Sequence, residues 1–595
     1  MILMSAYKAP LNEFYFLLEH LVDYDKHANL PGFEDVGMEM VEAILPEAAK
    51  FFENIVAPTN LETDQQGTEL NNGEVNVAPA IRGLGSQMAE SGWTGLGGSR
   101  QYEGSGFPGV IDLAVQEMLQ SANMSLSLLP LLTKGVIHAL SLYGSDEQKA
   151  QFLTKLTTGK WSGTMNLTEP QAGSDLSTIK TKATPHGDHY LISGQKIYIT
   201  WGEHSETENI IHLVLARLPD APEGTQGISM FLVPKYLVNS DGSIGDKNDV
   251  KVGGIEKKLG IHGSPTCTMI YGDNGGAIGY LVGPENKGLM CMFSMMNNAR
   301  LSVGHQGIAL GERAYQQAVA FAEQRLQGQS KFVKGRSAII HHPDVKRMLH
   351  LMRALTEGGR ALSFYTIAAE DRSKHANTDD RYLYDSQIVE VMTPLVKGWS
   401  TEAAMEIASL GVQVHGGMGF VEETGAAQYM RDARILPIYE GTNGIQALDF
   451  VGRKSIKDGG DTLFSLLKEI KVDCAKFSGL SSDVDELLKS LNTASDQCQN
   501  ALDHLLNNSE KAPYIAYNQM MLFGNSFAYW LLVKAIGNAR IKLEVGSGNK
   551  YLSQKISTTK FFASQVLTRN SAYLDAILSK TDSFDEFSFE DFARG

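Results

Sequence analysis

A single carboxylate stands in the stretch IYEGTNGIQ at residues 438–446. Glu440 lies there between an aromatic ring and a glycine, and Thr442 and Asn443 are able to cap a helix that continues through Val451. A carboxylate held in an apolar wall at a helix mouth can become basic enough to deprotonate a carbon acid. An acid that only complements the helix dipole is the alternative from these residues alone. The stretch therefore predicts a helix and marks Glu440 as a candidate base.

Length and composition limit the classes of protein to which the chain can belong. A chain of 595 residues is too long for a single hydrophobic core, so we expect three or four domains of roughly 100–200 residues each. Hydrophobic residues make up 43% of the chain, and no unbroken apolar run approaches the roughly 18 residues of a membrane helix. The net charge of −16 repels phosphate backbones and anionic membrane surfaces. We therefore expect neither a membrane span nor a nucleic-acid partner.

The cysteines and the N-terminus indicate the compartment. The four cysteines are far apart and form no CxxC or Cys/His pattern, which suits a reducing cytoplasm and argues against structural zinc. No basic segment precedes a long apolar run at the N-terminus, so no export signal is visible. We expect a cytoplasmic protein with free, mostly buried thiols.

Changes in residue pattern divide the chain into five segments. The residue pattern of 1–35 predicts an N-terminal helical extension, which we expect to be an appendage. Residues 36–162 show helical periodicity, which predicts an all-helical domain. Short β-rich runs between turn residues fill 163–283 and predict an antiparallel β domain. Long helical repeats return at 284–455, as in a four-helix bundle, and a further helical block fills 461–595. Its apolar stretch at 520–533 is interrupted by polar residues and is interpreted as core. The fold class is multidomain α+β.

Five motifs along the chain resemble those of one enzyme family. They are TEPQAGSD at 168–175, YIT at 198–200, QVHGGMGF at 413–420, MRDAR at 430–434 and YEGT at 439–442. Their order and spacing resemble the acyl-CoA dehydrogenases over about residues 40–455. The helical segments at both ends resemble the long branch that includes 3-methylmercaptopropionyl-CoA dehydrogenases. The resemblance implies an all-α N-terminal domain, a middle β-barrel-like domain and a C-terminal four-helix bundle, here with an additional C-terminal helical domain.

The resemblance also implies a reaction and its partners. The family desaturates an acyl-CoA thioester to a trans-2-enoyl-CoA, with FAD as the hydride acceptor and electron-transfer flavoprotein as the next electron acceptor. The implied substrate is 3-methylmercaptopropionyl-CoA or a short- to medium-chain fatty acyl-CoA. An acyl-CoA oxidase would share these motifs. A DNA-associated flavoprotein of the alkylation-response kind is a second alternative, but it needs a basic surface, and the charges of 461–595 are mixed.

Matching positions imply roles at the reacting centre. Glu440 matches the base, and Tyr439 and Gly441 match residues that line the thioester. Some relatives carry the base on an earlier helix, just before an arginine that contacts CoA, and that place here reads NNAR at 297–300. Because no carboxylate competes there, Glu440 is the expected base and Arg300 the expected CoA contact. A solvated helix charge is the alternative for Arg300.

The same match implies the flavin contacts and the oligomer. The expected cofactor-binding residues are Thr168, Ser174, Tyr198, Thr200, Arg325, Gln413, Gly417 and Thr442. Ser174 is also expected near the pantetheine of the substrate, and Tyr198 stands where many relatives have tryptophan. In the family, the residues that correspond to Arg325, Gln413 and Gly417 reach the FAD of a neighbouring subunit. We therefore expect a homodimer, with a tetramer as the alternative.

Two adjacent histidines are not expected to bind a metal. His341 and His342 directly precede Pro343 and indicate a helix start. No carboxylate or cysteine nearby has the spacing of a zinc site. We expect no metal.

Overall fold

The computed structural model describes residues 5–375, 378–542, 549–581, 584–586 and 589–592. The chain forms two compact units, each of which is described by itself. Unit 1 combines Met1–Ser5, Pro10–Val41 and Val303–Gly595, and unit 2 combines Ala6–Ala9 with Glu42–Ser302. Unit 1 is mainly helical, whereas unit 2 contains helices and a large sheet.

The helices and strands are numbered in chain order. The helices are α1 Leu11–Leu17, α2 Tyr24–His27, α3 Met38–Phe51, α4 Asn60–Gln66, α5 Leu84–Glu90, α6 Gly109–Ala122, α7 Met124–Tyr143, α8 Asp146–Thr157, α9 Gly288–Gln324, α10 Pro343–Lys374, α11 Asp379–His415, α12 Ala426–Ala433, α13 Asn443–Val451, α14 Asp461–Phe477, α15 Ser482–Asn507, α16 Ala512–Lys542, α17 Lys550–Phe562, α18 Arg569–Leu578 and α19 Phe589–Phe592. The strands are β1 Glu69–Asn71, β2 Glu74–Asn76, β3 Trp161–Asn166, β4 Lys182–His186, β5 His189–Thr200, β6 Asn209–Arg217, β7 Ile228–Pro234, β8 Tyr236–Val238, β9 Ile244–Lys247, β10 Val250–Ile255, β11 Thr266–Tyr271, β12 Ala277–Val282, β13 Leu326–Ser330 and β14 Val333–Ala338.

The sheet of unit 2 has eight strands. The strand order is β10-β11-β5-β12-β7-β6-β3, and β4 pairs with β5 and β6. Most neighbours are antiparallel, but β3 and β6 pair in parallel from Trp161 opposite Asn209 to Asn166 opposite Val214. The expectation of a purely antiparallel domain was therefore wrong. More than forty residues separate the starts of these two strands, which is enough chain for the crossover that a parallel pair requires.

Glycines on α9 determine how closely the helices of the bundle pack in unit 1. A Cβ atom on Gly304 would lie 2.5 Å from the carbonyl oxygen of Val396, and one on Gly307 would lie 2.8 Å from that of Ser400. Since no real Cβ approaches so closely, only glycine allows the backbones of α9 and α11 to come together here. This close contact brings the middle of α9 against α11.

The N-terminal extension is part of the core of unit 1. Phe14, Leu17 and Leu18 are completely buried. The Nζ of Lys555 on α17 lies 2.6 Å from a carboxylate oxygen of Glu13 and 2.6 Å from one of Glu357 on α10. The expectation of an appendage is therefore corrected, because apolar burial and a buried ion pair bind the extension to distant helices.

The additional helical segment has its own apolar core. Three- and four-residue spacing along α15 buries one face of the helix, which consists of Val484, Leu487, Leu488, Leu491, Ala494, Cys498, Ala501, Leu502 and Leu505. In the described part of the chain, Met124–Tyr143 and Ser509–Lys542 are long and apolar enough by composition to cross a membrane. However, 67% and 94% of their most apolar windows are buried inside the protein, which is typical of core helices. The interpretation of 520–533 as core is confirmed.

Candidate active site

The loop at Glu440 has an unusual backbone. Glu440 has a φ of 55° and Gly441 a φ of 85°, so two successive residues adopt the left-handed conformation. A glutamate rarely adopts it, because its Cβ crowds the following carbonyl, and such residues often lie at functional sites. Thr442 then caps α13, since its hydroxyl oxygen accepts a hydrogen bond of 3.3 Å from the N–H of Ile445. The predicted helix and its threonine cap are confirmed.

Gln446 stabilises this backbone from within α13. Its side chain is fully buried, and its Nε2 donates to the carbonyl oxygens of Glu440 at 3.3 Å and Gly441 at 3.2 Å. Buried carbonyls require such a partner. Gln446 thus fixes the peptide planes on both sides of Gly441, and with them the direction in which the Glu440 side chain leaves the loop.

Tyr439 is held by a residue of a distant helix. Its hydroxyl donates to the Oε1 of Gln306, a buried residue of α9. Burial, followed by the adjacent Glu440 carboxylate, raises the pKa of Tyr439 well above its ordinary value of 10. The phenol therefore stays protonated and acts as a donor, which keeps its ring beside Glu440.

Asn443 anchors the loop to α11. It is the first residue of α13, and its side chain does not cap the helix but points to α11. Its Nδ2 donates to the hydroxyl oxygen of Thr401 at 2.9 Å and to the Oε1 of Glu402 at 2.8 Å. Its Oδ1 accepts a bond of 2.9 Å from the Nζ of Lys397, a completely buried residue. Sequence reasoning assigned none of these partners, and the only available signal was the presence of polar residues inside an apolar helix pattern.

In unit 2, the residues expected to contact the flavin lie at the ends of two strands. The hydroxyl of Thr164 on β3 donates to the carbonyl oxygen of Thr200 on β5 at 2.7 Å. The carbonyl oxygen of Thr168, just beyond β3, accepts a bond of 2.9 Å from the N–H of Ile197 on β5. These contacts place Thr168 and Thr200 on neighbouring segments, around the ends of β3 and β5. Both are half-buried, so their hydroxyls suit hydrogen bonds to a ring edge.

Tyr198 presents its ring to solvent from a bulge in β5. The register with β11 shifts between Cys267 opposite Ile199 and Met269 opposite Lys196, which leaves Ile197 and Tyr198 facing a single residue. Tyr198 has a φ of 60°, and 61% of its surface is exposed. A plain strand tyrosine does not explain this conformation, whereas an exposed flat ring fits a stacking surface for an isoalloxazine. Its contact with the flavin stays a prediction.

A buried ion pair holds the segment after Thr168. The Lys196 ammonium lies 2.9 Å from an oxygen of the Glu169 carboxylate, and 0% and 3% of these side chains are exposed. Burial alone would raise the pKa of Glu169, but Lys196 and hydrogen bonds from Thr181 and Lys180 outweigh it and lower the pKa to about 2. Burial lowers the pKa of Lys196 to about 8 against the attraction of Glu169, so both groups are charged at neutral pH.

Arg300 on α9, the expected contact for CoA, is buried. Arg300 is 4% exposed, and its Nη1 lies 3.1 Å from the Oδ1 of Asn297. A solvated surface charge is therefore not the explanation for Arg300, because a buried guanidinium needs polar or anionic partners. Ser174, by contrast, is exposed on a loop of unit 2, where its hydroxyl can reach a ligand. Their contacts with CoA stay predictions.

Arg325, Gln413 and Gly417 form a second group in unit 1, away from Glu440. All three are exposed, at the ends of α9 and α11. The rings of Phe321 and His415 hold these ends together, with centroids 4.4 Å apart. At a helical rise of ~1.5 Å per residue, Arg325 lies about 28 Å from Gln306 along the axis of α9. The two groups therefore cannot contact the same part of one ligand, and the expectation that Arg325, Gln413 and Gly417 reach the cofactor of a neighbouring subunit stays a prediction.

The histidines before α10 form its start. His342 is the N-cap position and Pro343 the first residue of the helix, as predicted. His342 Nε2 lies 2.7 Å from the carbonyl oxygen of Gln327. Among the described residues, no group of three or more His, Cys, Asp or Glu side chains could hold a metal ion.

Comparisons with known proteins match the whole architecture. Family models for the N-terminal, middle and C-terminal domains of acyl-CoA dehydrogenase match residues 38–160, 164–274 and 286–454. A fourth model, described as acetyl-CoA dehydrogenase C-terminal like, matches residues 466–587. The expected fold, including the additional helical domain, is confirmed.

Curated relatives extend along the full chain. A 3-methylmercaptopropionyl-CoA dehydrogenase of Ruegeria pomeroyi is 45% identical over 585 residues, which cover 97% of this chain and 99% of the relative. A broad-specificity linear acyl-CoA dehydrogenase of Mycobacterium tuberculosis is 30% identical, with 98% and 100% covered.

Solved structures share the fold. An acyl-CoA dehydrogenase of Bacillus anthracis, complexed with FAD, superposes with a TM-score of 0.75 at 23% identity and covers 94% of this chain and 92% of its own. A structure described as an electron transferring flavoprotein of Acidaminococcus fermentans gives a TM-score of 0.56 at 26% identity, covering 69% of this chain and 96% of its own. Together with family models that match residues from 38 to 587, these relatives show that the chain belongs to the acyl-CoA dehydrogenase family of FAD-dependent oxidoreductases.

Proposed function

We propose that the chain dehydrogenates 3-methylmercaptopropionyl-CoA or a short- to medium-chain fatty acyl-CoA to the trans-2-enoyl-CoA, with Glu440 as the base. The observation that carries this proposal is the left-handed backbone at Glu440, held by Gln446, in a chain that has no carboxylate at 297–299. Strained backbone of this kind persists only where surrounding contacts maintain it.

Glu440 removes a proton from the α carbon of the acyl group. The carbon acid is weak, so the loop must also stabilise the negative charge that develops on the thioester oxygen, for which the backbone N–H of Glu440 is the expected donor. This N–H belongs to the peptide that joins Tyr439 to Glu440, and the side chain of Tyr439 is held by Gln306. FAD, when bound to residues that include Thr168, Tyr198 and Thr200, supplies the acceptor for the hydride from the β carbon. Tyr439 limits the access of water to the same place.

The replacement of Glu440 by glutamine tests the base. Glutamine keeps the size of the side chain but cannot accept the α proton, so flavin reduction should slow by at least about 10²-fold. Substrate binding should change much less, since Arg300 and the backbone donor remain. Rapid-mixing spectroscopy of the flavin-loaded variant measures the rate, and Glu510→Gln removes an exposed carboxylate as a control. A near wild-type rate in Glu440→Gln would show that another group is the base.

The near-full-length match to the Ruegeria pomeroyi relative supports a thioether substrate, and the Mycobacterium tuberculosis relative supports linear acyl chains. A panel of acyl-CoAs that includes straight chains, branched chains and 3-methylmercaptopropionyl-CoA separates them through anaerobic bleaching of the flavin. We expect reduction by the thioether and by short to medium unbranched thioesters. Bleaching by branched chains alone would contradict the proposed substrate.

The proposed electron acceptor is electron-transfer flavoprotein. Its support is the family and the likeness to a solved structure described by that name. The alternative enzyme, an oxidase, would pass the electrons to oxygen. Substrate turnover that forms stoichiometric peroxide in air, without any acceleration by electron-transfer flavoprotein, would favour the oxidase.

The proposed assembly is a homodimer in which each chain contributes to the cofactor site of its partner. Its support is the exposed group of Arg325, Gln413 and Gly417. Exposed apolar side chains lie near this group in the sequence, including Phe420 at 88% exposed, and a subunit interface would remove them from water. Light scattering combined with flavin content tests it, and Arg325→Ala should lower both flavin retention and the dimer fraction. An active monomer saturated with FAD would contradict the proposal.

We also propose a cytoplasmic location. The support is the state of the four cysteines, which are all free and buried. Burial raises the pKa of Cys267 to about 12 and that of Cys498 to about 12, which disfavours the reactive thiolate. Fractionation of cells should recover the enzyme with the cytoplasmic proteins, and recovery from an oxidising compartment would contradict this location.

A further inference from the structure

We propose that two opposite charges on α11 set the position of the catalytic base, and we assign Asn443 and Lys397 as positioning residues for the reaction. Lys397 and Glu402 hold opposite ends of the Asn443 side-chain amide. Asn443 follows the proposed base, Glu440, by three residues. The inference rests on the proposed role of Glu440, and it explains how a strained loop keeps one orientation.

The amide of Asn443 lies between a cation and an anion. Its Oδ1 accepts a bond of 2.9 Å from the Lys397 ammonium, and its Nδ2 donates to the Oε1 of Glu402 at 2.8 Å. The negative end of the amide dipole thus faces the cation, and the positive end faces the carboxylate. A flip of the amide would make both contacts repulsive. Because both bonds are charge-assisted, they are stronger than neutral hydrogen bonds and favour this single orientation.

The backbone of α11 presents these partners at a fixed spacing. The hydroxyl oxygen of Thr401 accepts a bond of 2.9 Å from the Nδ2 of Asn443, and the same hydroxyl donates to the carbonyl oxygen of Lys397 at 2.8 Å. The Nδ2 of Asn443 also lies 3.3 Å from the carbonyl oxygen of Gly398. The amide therefore contacts two successive turns of one helix, and a shift along α11 would break its bonds to both charged side chains.

Helix stability alone does not account for a lysine at this place. Lys397 is completely buried, and removing an ammonium from water is costly unless nearby groups compensate for it. Its ammonium also contacts the first residue of α13, and a helix N-terminus carries a partial positive charge that disfavours cations. An apolar side chain would avoid both costs but could not donate to Asn443. We therefore attribute the buried charge to the orientation of the loop.

Asn443 transmits this orientation to the loop through its backbone. Its N–H donates to the carbonyl oxygen of Pro437 at 2.9 Å, which closes the loop that has Glu440 at its midpoint. On the other side of the loop, Gln306 of α9 holds Tyr439, the residue before the base. Glu440, with a φ of 55°, lies between these two anchors. Without the anchor at Asn443, the backbone can leave the left-handed conformation and move the carboxylate away from the α carbon.

An exchange of donor and acceptor between residues 443 and 402 tests the arrangement. Asn443→Asp keeps the oxygen that faces Lys397, but a second oxygen replaces Nδ2 and meets the Glu402 carboxylate. Two carboxylates in such contact repel each other. A further change, Glu402→Gln, supplies an N–H at that point. The double variant therefore regains an attractive contact in which the direction of the bond is reversed.

Flavin reduction at saturating acyl-CoA is measured in full-length, flavin-loaded variants. Asn443→Asp and Lys397→Met should each be slower than the wild type by about 10-fold or more, since a misplacement of ~1 Å costs roughly 10²-fold. Glu402→Gln loses the charge but keeps an acceptor, so it should be slower by about 3-fold. The double variant should return to within about 3-fold of the wild-type rate, because the two changes compensate. The Kd for acyl-CoA should change by less than about 2-fold throughout.

The chain offers a matched control one helical turn after Glu402. Glu406 on α11 forms a bidentate ion pair with Arg569 of α18, at 2.7 Å for both contacts. Glu406→Gln makes the same chemical change as Glu402→Gln on the same helix, and among the described residues no hydrogen bond joins Glu406 to Asn443. This control should lower the melting temperature but keep the wild-type rate.

A second measurement isolates proton removal from hydride transfer. A 3-thia-acyl-CoA has an acidic α proton but no hydrogen on the atom at position 3, so only exchange of the α protons with deuterium oxide can occur. The exchange rate should fall in Asn443→Asp and recover in the double variant by the same factors as the reduction rate. A displaced flavin alone would slow reduction but leave the exchange rate unchanged, and that result would overturn the inference.

The outcomes separate this inference from the proposed function. If Glu440→Gln is slow while the double variant is no faster than Asn443→Asp, the charges on α11 do not position the base, although the base is right. Equal slowing in Glu406→Gln would also overturn the inference, since a general loosening of α11 would then explain the effect. If Glu440→Gln reacts at the wild-type rate, the base assignment fails and the inference fails with it.

The test does not depend on the folding of one variant. If Asn443→Asp does not fold, Glu402→Gln still decides the question, because it changes a half-buried side chain without altering its size. Slower exchange in Glu402→Gln than in Glu406→Gln would then support the inference. Equal exchange rates in these two variants would contradict it.

Discussion

Gln446 offers a direct test of whether the backbone at Glu440 is maintained by side-chain hydrogen bonds. Replacement by leucine keeps the approximate volume of the fully buried side chain and removes the bonds of 3.3 Å and 3.2 Å to the carbonyl oxygens of Glu440 and Gly441. Both carbonyls then lose their partner in the interior of the loop. We expect the loop to relax towards an ordinary backbone conformation.

The magnitude follows from two opposing contributions. Each lost bond lowers the free energy of unfolding by about 0.5–1.5 kcal/mol, so the two together contribute about 1–3 kcal/mol. A non-glycine residue in the left-handed region costs about 1–3 kcal/mol, which Glu440 recovers if the loop relaxes. Once the bonds that offset this strain are lost, the strained conformation becomes a minor state. A population shift of about 1.4–2.8 kcal/mol lowers the rate of α-proton removal by roughly 10- to 100-fold.

Rapid-mixing flavin reduction at saturating acyl-CoA measures the rate, and urea unfolding measures the stability. Gln519→Leu is the matched control, since Gln519 is equally buried and, among the described residues, its amide has no hydrogen-bond partner. That variant should keep the wild-type rate and should not lose stability. If Gln446→Leu loses stability but reduces the flavin at the wild-type rate, the geometry of Glu440 does not depend on Gln446, and the reasoning is refuted.

Three further predictions concern single contacts. Tyr439→Phe removes the hydroxyl bonded to the buried Gln306 and should lower the free energy of unfolding by about 1–3 kcal/mol in urea; an unchanged value would show that another donor replaces it. Gly441→Ala, at a φ of 85°, should cost about 1–2 kcal/mol and slow flavin reduction, whereas alanine at Gly444, where a Cβ meets nothing closer than 3.7 Å, should do neither. The folded pKa of about 2 for Glu169 lies below its ordinary value of 4.5, so the ionised carboxylate stabilises the fold above pH 4.5, and this stabilisation is lost as the pH falls towards 2. In urea titrations the free energy of unfolding should fall by up to about 3 kcal/mol over this range in the wild type but not in Glu169→Gln. Equal acid sensitivity of both proteins would contradict the ion pair.

The sequence by itself determined the family, the fold class and the identity of the candidate base. Glu440 could be singled out because YEGT is a local pattern, and no carboxylate occupies 297–299. The threonine cap of α13 and the helical character of 461–595 were also predicted correctly. These features depend on residues within a few positions of one another, where spacing alone fixes which side chains meet.

Only the tertiary structure identified the contacts that hold Glu440 in place. Gln306 precedes Tyr439 by 133 residues and Glu402 precedes Asn443 by 41, so no local pattern connects them. The parallel pair of β3 and β6, the bulge at Tyr198 and the burial of the N-terminal extension were missed for the same reason. A hydrogen-bond partner or a core neighbour is chosen by how whole helices and strands pack, and a single sequence records the residues of that packing without their distances.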